Sequence, residues 1–448
     1  MSPVHSATAP DRTSRRHHVL PTPGRLFPDC SDDLSPKQVA GNLARVAGQP
    51  GGILDCPTPD CPPVPVASQP MPHRSTSPVR NLAADPSNRA QARLVGMARL
   101  AAASPPAETT RRSGERPQYF VLPVKSILNR CDSERVPFEW TVNPYRGCEF
   151  ACKYCYARYT HEYMELDGSE FEKKIYVKKD AGPLLAWDVA HKYSYQSEAS
   201  GGTQAEHIAI GTATDPYQPA EREYGVTRSC LEELAKKEGL SVSIITKSDQ
   251  IVRDIDVLRC IAERSELAIN ITITTLRTRL ARMLEPRAPR PDLRLMAVKQ
   301  LTEAGLAVGV SASPLLPGIT DREGDLEAVA AAGKEAGAQW FFSVVLFLMP
   351  SSAKQFFPFL RAKFPRLEQQ YEKWFGKSGY APEEYRQKIA ERVARIRQSY
   401  GLQSRPFPEK KHTLGCRQMS LEWDAGAVAE ETGRTQPKRT FMFRRPAT

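Results

Sequence analysis

The sequence predicts an α/β fold in which strands and helices alternate and the strands run parallel. Two observations carry this. The strand-like runs "HIAIGT", "LSVSIITK", "LAINITIT", "LAVGVSAS" and "WFFSVVLF" are nearly continuous apolar and β-branched stretches. That pattern suits parallel strands covered on both faces. Each of the first four is followed by a helical stretch, and repeated strand–helix units imply right-handed crossovers into one sheet or barrel.

The elements follow in order. The segment before residue 117 holds 18 of the 38 prolines among Ser, Ala and Arg, with no sustained helical or strand period. Such a chain buries too little apolar surface to offset its conformational entropy, so residues 1–116 are expected to be disordered. Order is expected from Gln118, where "YFVLPVKSIL" leads to a short strand, "PFEWTV" (Pro137–Val142). "KKIYVKK" (Lys173–Lys179) is the next strand, and Pro183–Lys192 a short helix.

Strand His207–Thr212 precedes helix Thr227–Gly239, closed by its glycine. Strand Leu240–Lys247 precedes helix Ile251–Arg264, and strand Leu267–Thr274 precedes helix Pro291–Gly305. Strand Leu306–Ser313 precedes helix Asp321–Gly337, and Trp340–Phe347 closes the series. Residues 117–350 thus form the expected core.

Two helices then fill a 351–404 segment as a cap: Ala353–Phe375, broken near Pro358 and Pro365, and Pro382–Tyr400. Residues 405–448 read as a flexible basic tail. The net charge of +11 falls mostly on the ends: +5 on residues 1–116 and +4 on 405–448, leaving +2 for the rest. A basic chain suggests nucleic acid, but charge confined to solvated tails argues weakly for a nucleic-acid-binding core.

No secretory hydrophobic region and no apolar run of about 18 residues occurs, so no membrane span is expected. Cysteine spacing shows no disulfide framework, and a reducing, cytoplasmic compartment is the expectation.

In such folds chemistry gathers where strands end at their carboxyl side. That rim brings together Thr212–Asp215, Lys247, Thr274 and one conspicuous loop, "NPYRGCEFACKYCYAR" (Asn143–Arg158). Cys148, Cys152 and Cys155 lie in it as C-x3-C-x2-C. Thiolates are soft ligands for zinc or iron–sulfur centres. A structural zinc site takes four protein ligands, and no second C-x2-C pair lies at finger-like spacing. His161 is the candidate fourth ligand, which leaves a non-catalytic zinc-bearing nucleic-acid-binding protein as the alternative reading. Cys30, Cys56 and Cys61 ("CPTPDC" for the last pair) would be a separate metal site, but they lack a fourth ligand.

Together with "PVKSILNR", "GTATDPYQPAE", "SIITKS", "LEPRAPRP" and "VGVSASPLLPGITD", the loop resembles the spore photoproduct lyase-related branch of the radical S-adenosylmethionine (radical SAM) superfamily, often called DNA repair photolyase-like. The resemblance spans Gln118 to Gly401 and is strongest over Pro137–Asp321. It implies a partial (β/α)6 barrel and a lyase-like radical enzyme. Three cysteines would hold a 4Fe–4S cluster and leave one iron open for S-adenosylmethionine.

By the same resemblance Tyr154 lies near the adenine, Thr214 and Asp215 meet the amino group, and Lys247 meets the carboxylate. Thr274, or Thr272, assists. Arg287 is an anion-binding candidate. Implied partners are an electron donor of flavodoxin or ferredoxin type and an unidentified substrate, with nucleic acid one option. One departure matters. Spore photoproduct lyases carry a hydrogen-donating cysteine three residues before the matching aspartate, and here that residue is Thr212. Its O–H bond is too strong to quench a carbon radical as a thiol does, which separates this chain from those lyases. Cys230 and Cys260 fall in predicted helices and read as core thiols.

Overall fold

The structure, a computed structural model, describes residues 96–106, 117–133, 135–193 and 205–404. The chain divides into Met1–Pro408 and Glu409–Thr448, and the second unit lies outside the described residues, as does most of the expected disordered segment. In chain order the elements are α1 (Gly96–Ala103), β1 (Gln118–Val121), β2 (Leu128–Arg130), β3 (Trp140–Val142), β4 (Tyr145–Arg146), α2 (Tyr159–Glu162), β5 (Lys174–Val177) and α3 (Ala181–Asp188). Then come β6 (His207–Ile210), α4 (Glu221–Tyr224), α5 (Val226–Ala235), β7 (Ser241–Thr246), α6 (Ile255–Arg264), β8 (Glu266–Thr272), α7 (Thr278–Leu284) and α8 (Pro291–Glu303). The chain continues through β9 (Val308–Ser311), α9 (Glu323–Glu335), β10 (Trp340–Phe342), α10 (Pro350–Lys363), α11 (Glu368–Phe375) and α12 (Glu383–Tyr400).

Strands β3, β6, β7, β8, β9 and β10 pair in that order, all parallel, and β2 adds an antiparallel edge beside β3. Sequential parallel strands with intervening helices make the partial (β/α)6 barrel. The two sheet faces differ in kind. Ile208, Ile210, Val242, Ile244, Ile269, Ile271, Val308 and Val310 point into one large apolar core under the helices. Alternation puts Ala209, Ser243, Asn270, Gly309 and Ser311 on the other face, which is small and polar. There Trp340 lies across Gly309 and donates its indole N–H to Asn270 Oδ1 at 2.9 Å. A Cβ on Gly309 would fall 2.0 Å from that indole nitrogen, so only glycine fits.

Five expectations change, the simplest being that Cys260 of α6, read as a core thiol, is exposed. The Lys173–Lys179 run becomes β5 of a separate sheet, ordered β1–β5–β4, rather than a barrel strand. Within the segment expected to be disordered, α1 forms, and its Ala101 packs with Leu122, Met164 and Tyr176. The Trp340–Phe347 strand ends at Phe342. Pro358 lies inside α10 instead of breaking it, because buried Phe356 and Leu360 on either side anchor that face; the break falls at Phe364–Pro365.

The C-terminal helices do not share one role. Ile389, Val393 and Ile396 of α12 join the main core, in the place of a sixth barrel helix. Phe356 and Leu360 of α10 pack instead with Phe150 and Tyr154 of the cysteine loop. No described helix is long and apolar enough to cross a membrane.

Candidate functional site

The cysteine loop leaves the carboxyl end of β3 through the short β4. Gly147, with φ of +85°, makes the turn, and a Cβ there would meet the carbonyl oxygens of Lys174 and Phe171 at 2.6 and 2.9 Å. The same Phe171 carbonyl accepts the Cys148 N–H at 3.0 Å. Gln218 grips the loop from the β6 side: its amide nitrogen donates to Gly147 O and its oxygen accepts from Glu149 N–H, both at 3.0 Å. From the β8 side, Leu284 O accepts Lys153 N–H at 2.9 Å and Arg287 N–H donates to Phe150 O at 3.2 Å.

Cys148 and Cys152 are buried, Cys155 is half-buried, and all three are free thiols. Burial pushes the Cys148 thiol well up and the Cys152 thiol up to about 12. Cys155 is raised by burial too, although Arg158 pulls it back. Such thiols are neutral in the metal-free protein, and a metal or cluster must displace their protons. Among the described residues no three His, Cys, Asp or Glu side chains converge on a single-ion site. The three-thiol donor set on one glycine-turned loop suits the more widely spaced irons of a cluster. His161 does not complete a zinc set: it lies edge-on to Phe171, its Nε2 is 3.0 Å from Lys174 O, and burial lowers its pKa to about 4.

The neighbouring strand ends supply the rim. Asn143 closes the gap between β3 and β6. Its side-chain oxygen accepts the N–H groups of Ala213 at 2.8 Å and Thr214 at 3.3 Å, and its amide donates to Thr212 Oγ1 at 3.1 Å. Thr214 Oγ1 donates to Tyr145 O at 3.3 Å. Asp215 accepts from Thr246 Oγ1 at 2.6 Å, Lys247 N–H at 2.7 Å and Tyr217 N–H at 3.0 Å. Burial nonetheless outweighs these bonds and raises its pKa.

Lys247 Nζ stands 6.0 Å from the Tyr154 ring and makes no hydrogen bond or ion pair among the described residues. Burial presses its pKa down, but the raising influences, Glu285 first among them, prevail and hold the ammonium charged. Tyr154 is buried, with its hydroxyl bonded to Glu285 and 3.2 Å from Thr274 Oγ1. Thr274 in turn donates to Glu285 at 2.7 Å, and Glu285 pairs with Arg294 at 2.5 Å, both side chains 1% exposed. Burial works to raise the Glu285 carboxyl; Arg294 and Lys247 overcome it and keep it below the usual range.

The structure therefore gathers Cys148, Cys152, Cys155, Tyr154, Asp215, Lys247 and Thr274 into one electrostatically connected site, with Thr214 beside it. Arg287 is exposed and contributes only its backbone N–H. Thr272 lends its carbonyl to Arg294 Nη1 at 3.0 Å. Sequence reasoning missed Glu285, Arg294, Asn143 and Gln218. The signal for the first two was a charged Glu and Arg bracketing the rigid "EPRAPRP" run.

These features can be set beside known proteins. A family model described as the radical SAM superfamily matches residues 142–328. An uncharacterised protein of Mycobacterium tuberculosis is 32% identical over 288 residues, 63% of this chain and 82% of the relative. One from Methanocaldococcus jannaschii is 26% identical over 227 residues, covering 51% and 77%. Among solved structures, a spore photoproduct lyase mutant with bound AdoMet and dinucleoside spore photoproduct aligns at TM-score 0.46 and 14% identity, covering 63% of this chain and 79% of that one. The cobalamin-dependent S-adenosylmethionine radical enzyme OxsB with aqua-cobalamin bound aligns at TM-score 0.33 and 10% identity, covering 59% and 36%. The cysteine loop at the head of a six-stranded parallel barrel and the family match agree: this chain belongs to the radical SAM superfamily, enzymes that use a 4Fe–4S cluster and S-adenosylmethionine.

Proposed function

We propose that Cys148, Cys152 and Cys155 hold a 4Fe–4S cluster and that the neighbouring strand ends hold S-adenosylmethionine for radical chemistry on an organic substrate. The observation that carries this reading is the half-buried, charged Lys247 ammonium, without a hydrogen bond or ion pair among the described residues, beside three thiols and the buried Glu285 carboxylate. When bound, the cluster and S-adenosylmethionine together supply a 5′-deoxyadenosyl radical by one-electron cleavage of a C–S bond, and that radical takes hydrogen from the substrate.

The chain's residues bind and orient. Lys247 attracts a carboxylate, and Asp215 with Thr214 presents acceptors to an ammonium. Glu285 and Thr274 fix the Tyr154 ring in one orientation. Phe150, Phe171, Leu316 and Phe356 exclude water behind the cysteine loop. A one-electron donor of flavodoxin or ferredoxin type fits this chemistry, as does a reducing cytoplasm that keeps the thiols free.

The test is anaerobic reconstitution followed by iron and sulfide counts, then dithionite with S-adenosylmethionine. Formation of 5′-deoxyadenosine, abolished in Cys152→Ala, is expected. One zinc and no sulfide would overturn the reading in favour of the zinc protein. The sequence resemblance supports a nucleic-acid substrate; a rate of 5′-deoxyadenosine formation unmoved by single- or double-stranded DNA would count against that class.

A further inference from the structure

Arg158 is a buried cation behind the cysteine loop, and the proposed function gives it no role. Its side chain is 1% exposed, three residues past the last thiol. Nη2 donates to Cys152 O at 3.2 Å, Nη1 donates to Gly168 O at 3.0 Å and pairs with Glu172, and the guanidinium lies 5.9 Å from the centre of the Phe171 ring. Its Nε–H is buried and has no partner among the described residues. An orphaned buried donor is destabilising, so its place calls for a reason.

The ion pair is also lopsided. Glu172 is 16% exposed, so water screens the carboxylate while the guanidinium sits in a low dielectric. The contribution of this pair to the field at the loop is therefore positive.

We propose that Arg158 tunes the reduction potential of the cluster held by this loop, its charge and free Nε–H favouring the reduced, more negative state. This rests on the cluster assignment above. It makes Arg158 a positioning residue that acts through the cysteines. One electron enters the cluster from the external donor, and no bond of Arg158 is made or broken. Potentials of such clusters respond to net charge and to hydrogen bonds near the sulfurs.

The experiment is an anaerobic redox titration of the reconstituted full chain, followed by the spin-resonance signal of the reduced cluster, without S-adenosylmethionine. Arg158→Met is expected to lower the reduced-to-oxidised ratio at fixed potential about tenfold, which is about 59 mV for one electron. Glu172→Gln, which removes the counter-charge, is expected to raise the ratio, by less because that carboxylate is partly solvated. Arg158→Lys, which keeps the charge and loses the brace, is expected to stay nearer to the unsubstituted protein than the Met variant.

A Met variant that loads its cluster at an unchanged potential overturns the proposal. If the Met variant fails to load, the Glu172→Gln titration decides: a rise supports tuning, and no shift leaves Arg158 a brace and overturns it. An unsubstituted protein that binds no cluster overturns the cluster assignment first, and this inference with it.

Discussion

Removing the Glu285 carboxylate should be among the most destabilising single changes available near the site. The group is 1% exposed and accepts from Arg294, Thr274 and Tyr154 at once. Glu285→Ala strips all three donors of their acceptor and leaves the Arg294 guanidinium charged in the interior. Its remaining bonds, to Thr272 O at 3.0 Å and Pro289 O at 2.8 Å, do not neutralise it. Losing one partner of a buried ion pair costs about 3–5 kcal/mol. That is at least about a fifth of a domain's usual stability of about 5–15 kcal/mol.

Glu285→Gln keeps the shape and should still cost most of this, because charge is what Arg294 lacks. Glu285→Met with Arg294→Met should recover much of the loss while leaving the Tyr154 hydroxyl only its 3.2 Å contact with Thr274 Oγ1. Urea unfolding of the metal-free chain under reducing conditions, followed by circular dichroism, measures each step. A single Ala variant within about 1 kcal/mol of the parent would refute the desolvated pair and the electrostatic account of the site built on it.

Other outcomes follow from the same structure. Gly147→Ala should block cluster loading, read as iron and sulfide per chain, since its Cβ meets two backbone oxygens that cannot yield. Lys247→Met should weaken binding of S-adenosylmethionine to the reconstituted protein by at least about tenfold, as expected for loss of a charge-assisted bond worth about 1.5–3 kcal/mol, measured by equilibrium dialysis. His161 and His207 are both lowered to about 4 by burial. A group whose folded pKa is depressed below its unfolded value binds protons preferentially in the unfolded chain, so stability falls as pH drops. From pH 7 to 5 each histidine should cost about 2 kcal/mol, and His207→Gln should flatten its share of the urea-midpoint slope.

Much of the barrel was legible because its signals are local. Apolar β-branched runs separated by helical stretches announced β6 to β10 in order, and three thiols in eight residues announced the loop. What stayed hidden is what only the folded chain brings together. Glu285 and Arg294 each look like a solvated surface charge, and nothing in a nine-residue spacing says that both are buried. His161 had the right distance along the chain to be a ligand, yet β5 and Phe171 turn its ring away. The strand "KKIYVKK" had the right composition for the barrel, but pairing with β1 and β4 decided its sheet. Helix α1 was missed because eight residues of "GMARLAAA" sit at the end of a long proline-rich run.

The backbone staples on the cysteine loop bear on when the cofactor arrives. In small zinc modules the metal is what folds the chain, and the apo form is disordered. Here the loop's path is written by groups outside it: Phe171 O, the two ends of the Gln218 amide, Leu284 O and the Arg287 N–H. Those partners come from the segment after α2, the β6 crossover and the end of α7, so the ligand loop is shaped only once the barrel is. Assembly is then ordered in time: fold first, then load. Iron lost to oxygen should leave behind a folded receptacle, ready to be refilled rather than refolded.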